Sequence, residues 1–223
     1  MCELVVRHVA ADRTRDVLDV GCGTGSLVFL LANALPSAAV TGLDVSAPNI
    51  HAAEARRARL DAASAVRIRF EQADYLARPS SPVDAITSDG VLHLIPGDTR
   101  TLFAKLSADL RPGAILVVCM PFDCAYNYAF AILRRTLRLI RSRALDNMIL
   151  AAGRRLHGNE MSDEGLRERV PYMYIAPERL AGRHLRESIA PSVGLDVVAR
   201  YPMQSASLSQ LKHEVLVFQK RAA

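Results

Sequence analysis

The chain has no tryptophan and few aromatics, only 5% of its 223 residues, and its four cysteines (Cys2, Cys22, Cys119, Cys124) show neither paired CxxC spacing nor a nearby histidine cluster. A zinc site and a disulfide framework are therefore not indicated, and no metal is expected. No uncharged run of about twenty apolar residues occurs, which excludes a helical membrane span of the usual kind. The opening "MCELVVRHVAADR" places Glu3, Arg7 and His8 where a signal peptide needs an apolar core, so secretion is not expected and the cytoplasm is the default. Lysine is scarce as well: of 28 basic residues only Lys105, Lys212 and Lys220 are lysines.

What is present is enough apolar sequence, 50% of the chain, to bury the core of one domain. The net charge of +5 is concentrated. Residues 131–157 hold seven arginines (Arg134, Arg135, Arg138, Arg141, Arg143, Arg154, Arg155) against one acid, Asp146.

β-rich apolar runs alternate with helical patterns, as in a mostly parallel sheet covered on both faces. "ELVVRHVA" reads as a short helix, "DVLDV" as the first strand, 26–35 as a helix stopped by Pro36, and "AAVTGLDV" as the second strand. Ser46 caps a helix running to about Leu60. "VRIRFEQAD" and "VDAITSDG" follow as strands, 99–110 as a helix, and "GAILVVCM" as the fifth strand after the turn "RPG". The alternation then lapses between residues 121 and 177. There Tyr126, Phe130, Leu133, Leu137, Ile140, Ala144 and Met148 recur by threes and fours, the spacing of one helical face. A helix over 177–189 and the strands "GLDVVARY" and "HEVLVFQK", an antiparallel pair at the sheet edge, complete the expectation. The chain thus reads as one domain, residues 1–223, with a core of 14–120 and 177–220 and a helical insertion over about 121–176.

"DVLDVGCGTGSL" sets Gly21, Gly23 and Gly25 at alternate positions after a strand, where the backbone must turn sharply and can lie against a ligand. The dinucleotide fingerprint wants a glycine where Ser26 stands, and no Gly-Lys-Ser/Thr follows for a P-loop. Asp44 ends the second strand about twenty residues on, where a carboxylate can take both hydroxyls of a ribose. A glycine turn with no ligand and a helix-capping acid are the plain alternatives, but the combination favours a bound nucleoside.

At this point "VLDVGCGTG", "GLDVS", "FEQADYL", "VDAITSDGVLHLIP" and "LRPGAILVV" resemble, in order and spacing, the motifs of the class I S-adenosylmethionine-dependent methyltransferases of the small-molecule type. The resemblance covers residues 16–120 and implies a doubly wound, Rossmann-like, mostly parallel seven-stranded α/β sheet with a helical insertion after the fifth strand. It implies S-adenosylmethionine as cofactor, Gly21, Gly23 and Gly25 along its methionine part, and Asp19 at its amino group. By the same resemblance Asp44 would hold the ribose and Asp74 the adenine amino group, with Tyr75 or Val45 beside the ring. Ser88 and Asp89 would stand near the methyl group. Relatives carry further helices before the first strand, where this chain has about fifteen residues. The insertion, a partner subunit or residues upstream are therefore expected to close the site.

The acceptor is less defined. His93 follows the fourth strand, near the family's reaction centre, and is the candidate general base; the alternative is a histidine bonded to backbone in a packed turn. Tyr126, Phe130, Tyr172 and Tyr174 bring aromatic surface to the insertion, as an acceptor pocket or as its own core. Arg134, Arg138 and Arg141 form either a solvated basic face, a site for an anionic acceptor or acidic carrier protein, or a basic amphipathic helix on anionic lipid. "SDGV" in place of an Asn/Asp-Pro-Pro-aromatic loop argues against nucleic acid. The expectation is methyl transfer to a small, partly apolar acceptor in secondary or cofactor metabolism. Its rivals are a lipid or quinone methyltransferase at the membrane surface and a cofactor-binding module without turnover.

Overall fold

The computed structural model describes residues 1–10, 12–157, 166–167, 170–203 and 210–222. Its strands form one seven-stranded sheet: β1 (Asp16–Val20), β2 (Ala39–Asp44), β3 (Ile68–Gln72), β4 (Val83–Asp89), β5 (Leu110–Pro121), β6 (Leu195–Pro202) and β7 (His213–Lys220). Their order is β3-β2-β1-β4-β5-β7-β6. β1 to β5 pair in parallel, and β7 runs antiparallel to both β5 and β6. The order reverses at β1 and β4, so a crevice opens where their C-terminal ends diverge.

Strands buried on both faces need apolar residues at successive positions, and β1 shows why. Val17 faces one cluster, with Val5, Val28 and Leu31 of helices α1 (Cys2–His8) and α2 (Ser26–Ala34). Leu18 faces the other, with Leu102, Phe103 and Leu106 of α5 (Thr99–Ala108). Helices α3 (Ala47–Arg57) and α4 (Ala62–Ala65) link β2 to β3, and Ser46 caps α3 as expected, its Oγ accepting from Asn49 N at 3.4 Å.

Three expectations change. The helical face from Tyr126 to Met148 belongs to two helices, α6 (Ala125–Leu139) and α7 (Arg143–His157), and Leu133, Ile140 and Met148 on it are exposed. Ser142 makes the break: its Oγ accepts from Leu145 N at 3.2 Å and opens α7. The expected helix from residue 177 begins later, as α8, a π-helical turn over Leu185–Ile189 continued by Ala190–Ser192. Tertiary bonds hold the stretch before it: Glu178 N donates to His93 O at 2.8 Å, and the buried Arg179 guanidinium donates to the carbonyls of Leu92 and Gly97. Finally, β5 begins at Leu110, and the expected "RPG" turn lies inside it where the register against β4 shifts between Val83 and Ala85.

No described helix is long and apolar enough to cross a membrane.

Candidate active site

The loop after β1 is fastened before any ligand is considered. Gly21 N and Cys22 N donate to Leu43 O at 2.7 and 2.9 Å, tying the loop to β2. Gly21, Gly23 and Gly25 all have positive φ (75°, 54° and 80°), a region costly for residues with a Cβ. Their surroundings differ. A Cβ at Gly21 would lie 2.5 Å from the Val91 methyls and one at Gly25 2.6 Å from the Phe70 ring, so these two glycines admit the protein's own side chains. At Gly23 a Cβ would meet nothing within 4 Å, and this face of the loop alone is open.

Asp44, half-buried at the end of β2, braces that loop: Oδ2 accepts from Gly23 N and Oδ1 from Ser46 N, both at 2.8 Å. Asp19, within β1, is 2% exposed and accepts from Thr87 Oγ1 at 2.7 Å. Burial pushes its carboxyl up to about 7; the Thr87 hydrogen bond opposes the shift, while the nearby Asp89 and Asp44 carboxylates add to it. The crevice is thus rich in acids and suits a cation.

Other residues carried by the resemblance are engaged elsewhere. Ser88 is buried and its Oγ donates to Val20 O at 2.8 Å, joining β4 to β1. Tyr75 turns into the core, its hydroxyl donating to the buried Asp109 at 2.9 Å with Lys105 Nζ 5.0 Å from the ring. A base ring therefore cannot lie on Tyr75; Val45, 69% exposed, is the residue of the pair that presents apolar surface. Asp74 is exposed, one oxygen accepting from Leu76 N at 2.9 Å.

At the ends of β4, β5 and β7 lies a cavity of about 300 Å³ lined by Asp89, Gly90, Cys119, Met203, Leu211 and His213. Burial, with the Asp89 charge and its hydrogen bond, pushes the Cys119 thiol up to about 12, so it remains a neutral thiol. His213 was missed in the sequence, although the expected antiparallel pair carried the signal: a strand running back along β5 starts where β5 ends, and His213 pairs with Pro121. Its Nδ1 donates to Leu211 O at 2.8 Å, which leaves Nε2 as the acceptor nitrogen.

His93 does not line this cavity. It is 5% exposed and stands behind His213, ring centroids 5.7 Å apart, with Nδ1 unpartnered. Burial, then the charges of His213, Arg134 and Arg179, push it down to about 3, so it is neutral near pH 7 and a poor proton acceptor.

The insertion is held over this end of the sheet by Asn127, which donates to Phe122 O and Lys212 O at 2.7 and 2.8 Å and accepts from Lys212 N at 2.8 Å. Tyr126 and Phe130 stack at 5.7 Å, Lys212 Nζ lying 5.1 Å from the Tyr126 ring. Tyr174 instead closes the insertion's own core with Leu150, Leu166 and Val170, its hydroxyl donating to Asp146 at 2.5 Å. The side chain of Tyr172 lies outside the described residues. Among the described residues no cluster of His, Cys, Asp and Glu could hold a metal.

Residues 18–116 match the model of a methyltransferase domain. Several relatives are named trans-aconitate 2-methyltransferase. That of Azoarcus sp. (strain BH72) is 34% identical over 118 residues, 52% of this chain and 43% of the relative; that of Deinococcus radiodurans is 39% identical over 105 residues, 47% and 37%. The matches therefore span under half the length of these curated relatives. Among solved structures, a putative sarcosine dimethylglycine methyltransferase from Galdieria sulphuraria superposes with a TM-score of 0.62 at 15% identity, covering 98% of this chain and 83% of that one. The sheet order and the matched segment agree with the motif order read from the sequence, and together they support a class I S-adenosylmethionine-dependent methyltransferase domain over residues 18–116, with S-adenosylmethionine as its cofactor.

Proposed function

We propose that the protein transfers the methyl group of S-adenosylmethionine to a small, partly apolar acceptor in secondary or cofactor metabolism. The observation that carries this is the cavity beside Asp89 and Gly90, at the strand ends where the glycine loop also lies, with apolar Met203 and Leu211 and polar His213 on its wall. The residues present fit the donor: an open loop face at Gly23, and the acids Asp19, Asp44 and Asp89 around a crevice that must receive a sulfonium and an ammonium. In this reading Asp44 accepts from the ribose hydroxyls, Asp19 faces the ammonium, Asp74 receives the adenine amino group and Val45 flanks the base. Bound there, the donor supplies an electrophilic methyl carbon, and the protein's task is to set the acceptor in line behind it. His213 Nε2 can take a proton from a hydroxyl or amine acceptor, a role its place in the cavity wall supports better than His93's place behind it.

The relatives named for trans-aconitate support a small acceptor. The matched segment 18–116 contains neither α6 nor His213, so the acceptor itself is open to screening. Formation of S-adenosylhomocysteine from S-adenosylmethionine in the presence of a panel of phenols, amines and carboxylates, trans-aconitate included, tests the proposal. Formation that depends on one acceptor class supports it; tight product binding without turnover anywhere on the panel would instead indicate a binding module.

A second reading has its own observation. Tyr128, Ile132, Leu139 and Met148 of α6 and α7 face outward among the exposed Arg135, Arg138 and Arg143, as in a basic amphipathic helix on anionic lipid. Co-sedimentation with anionic liposomes that is lost in Arg135→Gln/Arg138→Gln would favour a lipid or quinone acceptor.

The glycines make a further test of the site. Gly23→Ala is expected to fold, at a cost of about 1 kcal/mol from its positive φ, yet to weaken S-adenosylhomocysteine binding about tenfold or more by filling the open face. Gly25→Ala must displace the Phe70 ring and is expected to lower the melting temperature further. Equal loss of stability with unchanged binding in both variants would contradict this assignment.

A further inference from the structure

The polar side chains on the cavity wall share one face of the sheet. Asp89, the last residue of β4, lies opposite Cys119 of β5, and Cys119 lies opposite Val215 of β7. Side chains alternate along a strand, so His213, which precedes Val215 by one alternation, projects on the same side as Asp89 and Cys119. All three line the cavity. Gly90, also on the wall, has a φ of 71°, and a Cβ there would meet nothing within 4 Å, so the chain leaves room beside the Asp89 carboxylate.

Among the described residues that line the cavity, Asp89 alone is charged near pH 7. Cys119 stays a neutral thiol, and its hydrogen bond holds the Asp89 carboxylate in place. Burial pushes the His213 pKa down and Arg134 adds to the shift, while the Leu211 carbonyl and the Asp89 charge oppose it, so the imidazole is neutral. Its Nδ1 is committed to Leu211 O, which leaves Nε2 to accept. A carboxylate acceptor would bring a second anion beside Asp89, a repulsion that water-poor surroundings strengthen. A hydroxyl gains little from the charge. An amine uses both groups: its ammonium form pairs with a carboxylate, and its free base, formed when Nε2 takes a proton, carries the lone pair that the transfer needs.

We propose that the acceptor is an amine whose nitrogen is held between the Asp89 carboxylate and His213 Nε2. This rests on reading the cavity as the acceptor site, and it names the substrate class of that site. One proton passes from the ammonium nitrogen to Nε2, the nitrogen lone pair bonds to the methyl carbon, and the carbon–sulfur bond breaks with its electron pair left on sulfur. Positive charge thus moves from sulfur to the methylated nitrogen. Asp89, on the cavity wall and within electrostatic reach of Asp19 in the crevice, has a cation near it before and after.

The test uses the full chain saturated with S-adenosylhomocysteine, titrated calorimetrically with benzylamine, benzyl alcohol and benzoate, which share a ring and differ in the polar group, and with trans-aconitate. Benzylamine should bind about tenfold or more tightly than the others. Asp89→Asn, which can still accept from Cys119, should remove that preference. His213→Asn keeps a donor for Leu211 O but no base, so benzylamine should still bind while kcat for its methylation falls about 100-fold or more. Arg138→Gln, exposed on α6, is the control and should change nothing. S-adenosylhomocysteine affinity and the melting temperature, measured in each variant, separate a lost subsite from a lost cofactor site or fold. Benzoate or trans-aconitate binding as tightly as benzylamine, no benzylamine binding by a wild type that binds S-adenosylhomocysteine, or an amine preference unchanged in Asp89→Asn would overturn the amine class. Unchanged kcat in His213→Asn would remove the histidine from the step. In each case methyl transfer to benzyl alcohol or trans-aconitate would leave the methyltransferase reading standing, whereas a folded wild type that does not bind S-adenosylhomocysteine would overturn both.

Discussion

Asp44→Ala is expected to weaken S-adenosylhomocysteine binding by about 10–100-fold while the protein remains folded. Two effects add in the same direction. The carboxylate is the ribose partner in the proposed function, and a hydrogen bond to a charged group contributes about 1.5–3 kcal/mol. It also accepts from Gly23 N and Ser46 N at 2.8 Å, so its removal frees the one glycine whose open face the ligand needs. Asp44→Asn separates the two effects. One amide oxygen can still accept from a loop amide, so the variant should fall between wild type and Asp44→Ala. Equal affinity in all three proteins, by calorimetry, would remove Asp44 from the site.

The second large effect is a linkage between binding and protonation at Asp19. Its folded-state pKa is raised from 3.8 to about 7, chiefly by burial. A raised carboxyl pKa means that its favourable contribution to stability is complete below pH 3.8 and is lost as pH rises through about 7. Above that pH the protein holds a buried, ionised Asp19 with no cationic side chain among the described residues acting on it. An ammonium group placed against it favours the ionised form, so binding at pH 6–7 should release protons. Calorimetry of S-adenosylhomocysteine in buffers of different ionisation enthalpy should show that release, and affinity should rise between pH 6 and 8. Asp19→Asn should abolish both and bind about tenfold or more weakly at pH 8, while becoming less sensitive to pH in its melting temperature. Proton uptake on binding in the wild type would contradict the placement of Asp19 at the ammonium.

Much of this was legible before any coordinates. The glycine loop, Asp44 and the run of strands are local patterns, and local patterns carry their own geometry: alternating glycines after a strand turn the chain, and an acid about twenty residues on ends the next strand. The direction of a side chain was less accessible. Tyr75 follows Asp74 in a family motif, yet its ring is claimed by Asp109, 34 residues away, and nothing nearby in sequence announces that bond. Gly21 and Gly25 look alike in the sequence, but Val91 and Phe70 decide that both are glycine for packing.

The insertion shows the same limit. Spacing by threes and fours ran through Ile140 and concealed a break that Ser142, a good helix cap, already marked. Arg134 and Arg138 share that spacing, and only the tertiary bond to Ile175 O turns one inward while the other stays in solvent. The expected helix at residue 177 yields to Arg179, whose bonds to the loop after β4 outweigh local propensity. His213 was within reach of topology alone, since the first residue of an antiparallel strand lies at the C-terminal end of its parallel-sheet neighbour.

In the proposed function the crevice at β1, β2 and β4 receives the nucleoside and ammonium of S-adenosylmethionine and rejects a dinucleotide. Calorimetric titration of the wild-type chain with S-adenosylhomocysteine, and separately with NAD, tests it most directly. One-to-one binding of S-adenosylhomocysteine with no heat from NAD is the predicted result; tighter binding of NAD, or of neither ligand by the folded protein, would contradict it.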